Sequence, residues 1–159
     1  MICLEFLSNP FKDTILKIFA SVFLFFFCVL GFSQDWKASY TDALASSKDE
    51  DKPIVLVFAG SDWCAPCIKL EKNIWQSEAF KTHAVSNYIL YKADFPRKKA
   101  NALSPEIAKQ NAVLADRFNA KGYFPLVVVL DKQEHVLGQL GYQKIEPLEY
   151  ISLLNNLVN

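Results

Sequence analysis

The chain carries no charge imbalance and very little metal-binding chemistry. Its 17 Lys and Arg are matched by 17 Asp and Glu, so its formal net charge is zero. It has only two histidines, four cysteines, five glycines and one methionine. Charge balance argues against nucleic acid or an anionic membrane surface as the main partner. A structural zinc site needs four ligands. His83 and His135 stand far apart in the chain, without ligand spacing, so no metal is expected. No internal repeat or low-complexity tract is present.

Long apolar runs are also missing, with one exception. Residues 18–32, "IFASVFLFFFCVLGF", follow Lys12 and Lys17. They fall short of the roughly 20 residues of a membrane helix but suit the core of a secretory signal. Gly31 and Ser33 supply small residues for a cut, so residues 1–33 are expected to be a signal segment cleaved after Ser33. The alternative is an inner-membrane anchor formed by 18–32. Phe27 before Cys28 disfavours a lipid anchor. Residues 34–159 are then a single exported, periplasmic domain, touching a membrane only if the leading segment is retained. Removal of 1–33 takes Cys3 and Cys28 with it and leaves Cys64 and Cys67. A disulfide across so short a loop gains little closure entropy. This pair is there for chemistry.

The remaining chain alternates helix and strand signals. "SYTDALASSK" (39–48) reads as a helix with Tyr40, Ala43 and Leu44 on one face. "IVLVFA" (54–59) reads as a strand buried on both sides. A helix follows from near Cys64, where Pro66 is tolerated in the first turn and Cys67, Leu70 and Ile74 share a stripe. "EAFKTHAVSN" after Ser77 reads as a helix and "YILYKAD" (88–94) as a strand. Ser104-Pro105-Glu106 starts a helix with Ile107, Leu114 and Phe118 inward, ending near Lys121-Gly122. "LVVVLD" (126–131) and "HVLGQLGY" (135–142) make a hairpin. The last helix, 146–158, is expected to bury Leu148, Ile151, Leu154 and Leu157. Together these give a mixed α/β sheet covered on both faces.

"GSDWCAPC" (60–67) carries the chemistry. Disulfide exchange needs a thiolate with a lowered pKa and access to its partner. A strand-turn-helix offers both at the helix N-terminus, where free N–H groups favour an anion. Cys64 is expected to be the exposed attacker. Cys67, one turn on and sharing the stripe of Leu70 and Ile74, is expected to be the buried resolving thiol.

"VFAGSDWCAPC" and "LADRFNAKGYFPLVVVLD" resemble the two hallmark segments of the thioredoxin family, and the likeness spans residues 36–158. "FAGSDWC" and "ADFPRKK" resemble its exported bacterial members. The resemblance implies a thioredoxin fold, with a central mixed sheet of four to five strands and helices on both faces. It implies Pro125 as a cis-proline packed against the cysteines. Trp63, Pro66, Phe124 and Pro125 would form the substrate surface, taking an extended segment. No cofactor is implied. The partners are thiols and disulfides of exported proteins, and a membrane electron donor.

Departures from the family pattern are specific. Phe58 stands where an aspartate is usual six residues before the first cysteine, and Lys92 corresponds to the lysine that accompanies it. Asp62 is expected to point from an exposed turn, raising the Cys64 pKa at most. Leu126 replaces a threonine, and Tyr123-Phe124 is bulky. The basic run Arg97-Lys98-Lys99 reads as a solvated loop, inside a stretch, 95–106, longer than the plain fold requires.

Ala65-Pro66 offers no group to hold a thiolate, which favours a reductase or isomerase of exported disulfides over a thiol oxidase. The other alternative is a peptide-binding module with incidental redox activity. A Cys64→Ser, Cys67→Ser chain separates binding from exchange. It should lose all disulfide-reducing activity in a turbidity assay, whereas a pure binding module would keep its peptide affinity.

Overall fold

The six residues of β1 (Ile54–Ala59) are all buried, and their side chains alternate between two apolar cores. Val55, Val57 and Ala59 face one core; Ile54, Leu56 and Phe58 face the other. This is the pattern of a central strand covered on both sides. The computed structural model describes residues 35–158; the expected signal segment, its cut after Ser33 and the apolar run 18–32 lie outside them.

Around β1 the sheet runs β2-β1-β3-β4, with β2 (Ile89–Asp94) parallel to β1. β3 (Leu126–Leu130) and β4 (Val136–Leu140) are antiparallel, and Trp36 adds an isolated bridge to Leu90. α1 (Tyr40–Glu50) and α4 (Pro105–Phe118) cover one face, and α2 (Ala65–Leu70), α3 (Glu78–Asn87) and α5 (Pro147–Val158) the other. The observed sheet is the four-stranded mixed sheet of a thioredoxin-like fold.

Serine caps explain where the helices start. Ser39, Ser77 and Ser104 each accept a first-turn N–H through the side-chain oxygen, satisfying a donor that the helix leaves unpaired. Beyond Leu70 the helix widens into one π turn, Glu71–Trp75, closed by a Gln76 N–H donating to the Glu71 carbonyl at 3.0 Å. The extra residue in that turn lets Ile74 and Trp75 both point into the core. Trp75 then becomes its centre, with ring centroids 4.5 Å from Phe80, 5.5 Å from Tyr150 and 6.1 Å from Trp36.

Three expectations need correction. α4 ends at Phe118, three residues before Lys121, because Asn119 leaves helical geometry and turns its side chain to Tyr123. Ile107 is only half-buried, and the buried stripe of α4 is Asn111, Leu114 and Phe118. Asn111 earns its place by hydrogen bonds: the Tyr91 hydroxyl donates to Oδ1 at 2.6 Å, and Nδ2 donates to the Asp94 carbonyl at 3.0 Å. Burial pushes the Tyr91 phenol up to about 12, so it stays a neutral donor. In α5, Leu148 is 72% exposed, and Tyr150 joins Ile151 and Leu154 against the sheet.

The two faces of this correction are separable by stability. Trp75→Ala should lower unfolding free energy by about 3–5 kcal/mol, the range for an aromatic removed from a packed core. Leu148→Ala should change it by less than about 0.5 kcal/mol. Urea unfolding followed by fluorescence reads both.

Candidate active site

At the C-terminal end of β1 the chain turns through Gly60–Trp63 into α2. The Gly60 carbonyl accepts N–H bonds from Trp63 at 3.3 Å and Cys64 at 2.9 Å, which closes the turn. The indole of Trp63 folds back over Gly60 so closely that a Cβ there would sit 2.3 Å from the ring. Only glycine fits beneath it.

Cys64 is the N-cap of α2, and its Sγ accepts the Cys67 N–H at 3.2 Å. The two cysteines are joined as a disulfide, with Cα atoms 5.2 Å apart. The sequence pointed to an exposed Cys64 over a buried Cys67, but each is only 5% exposed. With the disulfide formed, Cys64 is as buried as Cys67. Trp63 and Phe124 pack against the core that contains the pair, whereas Ala65 and Pro66 lie open on its rim.

The second hallmark segment approaches from β3. The Phe124–Pro125 peptide is cis, and Pro125 is buried. The turn before it is held by Asn119 on both sides. Nδ2 donates to the Tyr123 carbonyl and Oδ1 accepts the Tyr123 N–H, both at 2.9 Å, while Gly122 takes φ of 68°. Tyr123 stays exposed. Phe124 meets Trp63 at 5.4 Å and Phe95 at 5.5 Å, both edge-on, so three aromatic rings form one apolar roof.

A third segment, 94–101, is clipped to the cysteine turn. Asp94 accepts both the N–H of Ser61, at 2.8 Å, and its hydroxyl, at 2.5 Å. The Trp63 Nε1–H donates to the Phe95 carbonyl at 2.7 Å. Asp62 lies on an exposed turn, as expected, but its side chain is engaged. Its carboxylate accepts the N–H groups of Arg97 and Lys98, each at 2.9 Å, and the Asn101 side chain at 3.0 Å. The Arg97 N–H above all, with the other two donors, holds the Asp62 carboxyl below its usual range. The Arg97 guanidinium lies over the Trp63 ring, 3.9 Å from its centroid.

On the cysteine side, β1 presents Val55, Val57 and Ala59, all apolar. Phe58, at the position of the family's aspartate, faces the opposite core. Lys92, the Cα partner of Val57, pairs with Glu71 at 2.5 Å. The Glu71 N–H in turn donates to the Cys67 carbonyl. His83 contacts Asn155 at 3.0 Å and His135 contacts Asp131 at 2.8 Å. Among the described residues no three His, Cys, Asp or Glu side chains cluster as metal ligands.

Cys64, Cys67, Trp63 and Phe124 thus meet in one packed cluster, with Pro66 and Pro125 adjoining them in the chain. Sequence reasoning missed Phe95, Arg97 and Asn119. Asn119 had a local signal, an Asn just ahead of a glycine turn. Arg97 had none, since its place beside Trp63 depends on long-range hydrogen bonds.

A family model described as thioredoxin-like matches residues 35–132. The chain is 37% identical over 114 residues to the disulfide bond reductase DsbH of Chlamydia pneumoniae, covering 72% of this chain and 67% of that protein. It is 26% identical over 106 residues to the thioredoxin-related protein DsbJ of the same organism, covering 67% of this chain but 30% of DsbJ. A solved DsbH oxidoreductase superposes with a TM-score of 0.74 at 33% identity, over 79% of this chain and 85% of that one.

The Asp62 clip has a defined pH window. A lowered folded pKa means its contribution is complete above the ordinary carboxylate range and is lost only as pH falls through the lowered value. Protection of the Arg97 and Lys98 amides from hydrogen exchange should therefore hold from pH 7 to about 4 and decline below. In Asp62→Ala it should be on the order of tenfold weaker across that range, at two amides far from it in sequence.

Proposed function

The chain belongs to the thioredoxin-like family and is a thiol:disulfide oxidoreductase, and on that premise we propose that it reduces disulfides of exported proteins, with Cys64 attacking and Cys67 resolving. The observation that carries this assignment of roles is the N-cap position of Cys64. Its sulfur already accepts the Cys67 N–H, so in the dithiol form that donor and the start of the helix favour a thiolate there. Cys67 lies one turn further along the helix, where its backbone is committed to the helix.

The exchange balances in two steps. The Cys64 thiolate attacks one sulfur of the substrate disulfide, and the other substrate sulfur leaves as a thiolate and takes up a proton. Cys67 then loses its proton and attacks the Cys64 sulfur of the mixed disulfide, releasing the second substrate thiol. The substrate gains two electrons and two protons, and the protein ends as the Cys64–Cys67 disulfide found in this structure. Trp63, Pro66, Phe124 and Pro125 form the surface on which an extended substrate segment lies, as strand addition would place it.

Two features support the reducing direction. Ala65 and Pro66 are apolar and open to solvent, so neither adds a charge that stabilises the thiolate and makes the couple oxidising. A relative sharing 37% of its aligned residues bears the name disulfide bond reductase. Action outside the cytoplasm follows from the signal-like segment 1–33, and re-reduction there calls for a membrane electron donor.

Cys67→Ala should accumulate mixed disulfides with exported proteins through Cys64, seen as thiol-sensitive bands on non-reducing gels, and Cys64→Ala should not. The opposite pattern reverses the roles. The equilibrium potential against dithiothreitol should lie nearer the roughly −270 mV of thioredoxin than the roughly −120 mV of the strongest oxidants of this fold. A value at the oxidising end makes the protein a thiol oxidase.

A further inference from the structure

The basic run Arg97-Lys98-Lys99 was expected to be a solvated loop. It is exposed, but it is fixed against the redox site rather than free. Asp62, in the turn that leads into Cys64, holds the backbone of Arg97 and Lys98, and the Trp63 indole holds the carbonyl of Phe95. The Arg97 guanidinium then stacks on the ring of the residue next to Cys64. The oxygens of the two neighbouring acids are turned to other donors: Asp94 to Ser61, and Asp62 to the loop backbone and Asn101. Three cations against these two acids leave a local positive excess in a chain with no net charge. Among the described residues none of the three cations enters an ion pair.

We propose that Arg97, Lys98 and Lys99 form a docking surface for an acidic polypeptide segment flanking the substrate disulfide. The inference rests on the exchange reaction proposed above. Trp63 precedes Cys64 and packs against the core that holds the pair, and Arg97 lies on its ring, so residues flanking a disulfide bound at Cys64 come within reach of the cationic edge of this loop. Carboxylates there find a planar guanidinium whose face is spent on the indole and whose N–H groups can pair with them two at a time. Lys98 and Lys99 add attraction that acts during approach. Lysines or arginines in the same substrate positions are repelled. The surface therefore selects among protein disulfides by the charge of their surroundings, while the aromatic roof accepts any extended backbone.

The test uses the reduced full-length protein and three synthetic peptide disulfides that differ only in the residues flanking the cysteines: glutamates, glutamines or lysines. Second-order reduction rates are measured at low and high salt. The glutamate peptide should react about tenfold faster than the lysine peptide at low ionic strength. That ratio should shrink to within about twofold near 1 M salt, where the Debye length is about 3 Å. The ratio should also approach one in a Lys98→Gln, Lys99→Gln variant and in Arg97→Gln. Taking a ratio within each variant removes any change in exchange itself.

Reduction of the glutamine peptide with equal rates for the other two overturns the docking surface and leaves the reductase standing. No reduction of any peptide overturns the reductase reading instead. Equal rates together with salt-sensitive cosedimentation on phosphatidylglycerol vesicles assign the run to a lipid surface and reject the peptide proposal.

Discussion

A sulfur atom caps a helix in this protein, and the rest of the structure serves that placement. An N-cap side chain ordinarily supplies an oxygen to a first-turn N–H; here the Cys64 sulfur does so, toward Cys67. The cap position fixes where the reactive atom sits and gives it a polar partner in otherwise apolar surroundings. Everything that positions it is built outward from β1. The fully buried strand ends in a glycine turn under an indole, and the helix that follows is anchored at its far end by Trp75. The π turn matters here because it commits that end of the redox helix to the core with two adjacent large residues, Ile74 and Trp75.

The second organising feature is how the three segments of the site are tied to one another. The cysteine turn, the stretch after β2 and the cis-proline turn come from distant parts of the chain. The first two are joined by hydrogen bonds through Asp62, Asp94 and Trp63, and the third meets them through stacked edges of Phe124. Polar ties set the rim and aromatic contacts set the roof. A change in the loop after β2 is therefore felt at the residue next to Cys64, although the loop touches neither cysteine through any bond described.

Much of this was legible in the sequence. β1 was read at its observed limits because six apolar residues between turn signals leave little choice. The start of α4 was fixed by Ser104-Pro105, a cap and a pre-set φ in adjacent positions. The fold and the thiol:disulfide chemistry followed from the resemblance of two segments, "VFAGSDWCAPC" and "LADRFNAKGYFPLVVVLD", to those of the thioredoxin family. The failures are equally physical. Asn111 is buried because of partners on β2, which apolar periodicity does not register. Leu148 sits at the right spacing on the wrong side, since Tyr150 fills the place nearer Trp75. Asp62 was read as an acid on an exposed turn near a thiol, and only the fold shows its oxygens taken up by the loop.

The burial of both cysteines, 5% exposed each, separates two properties that are easily merged. Reduction potential is an equilibrium quantity, but exchange with any particular thiol requires that thiol to reach a sulfur along the axis of the bond being broken. Trp63 and Phe124 pack against the core that holds the pair, while Ala65 and Pro66 between the cysteines lie open to solvent. Potential and access are thus set by different parts of the site: the partners of the thiolate govern the first, and the packing around the two cysteines governs the second.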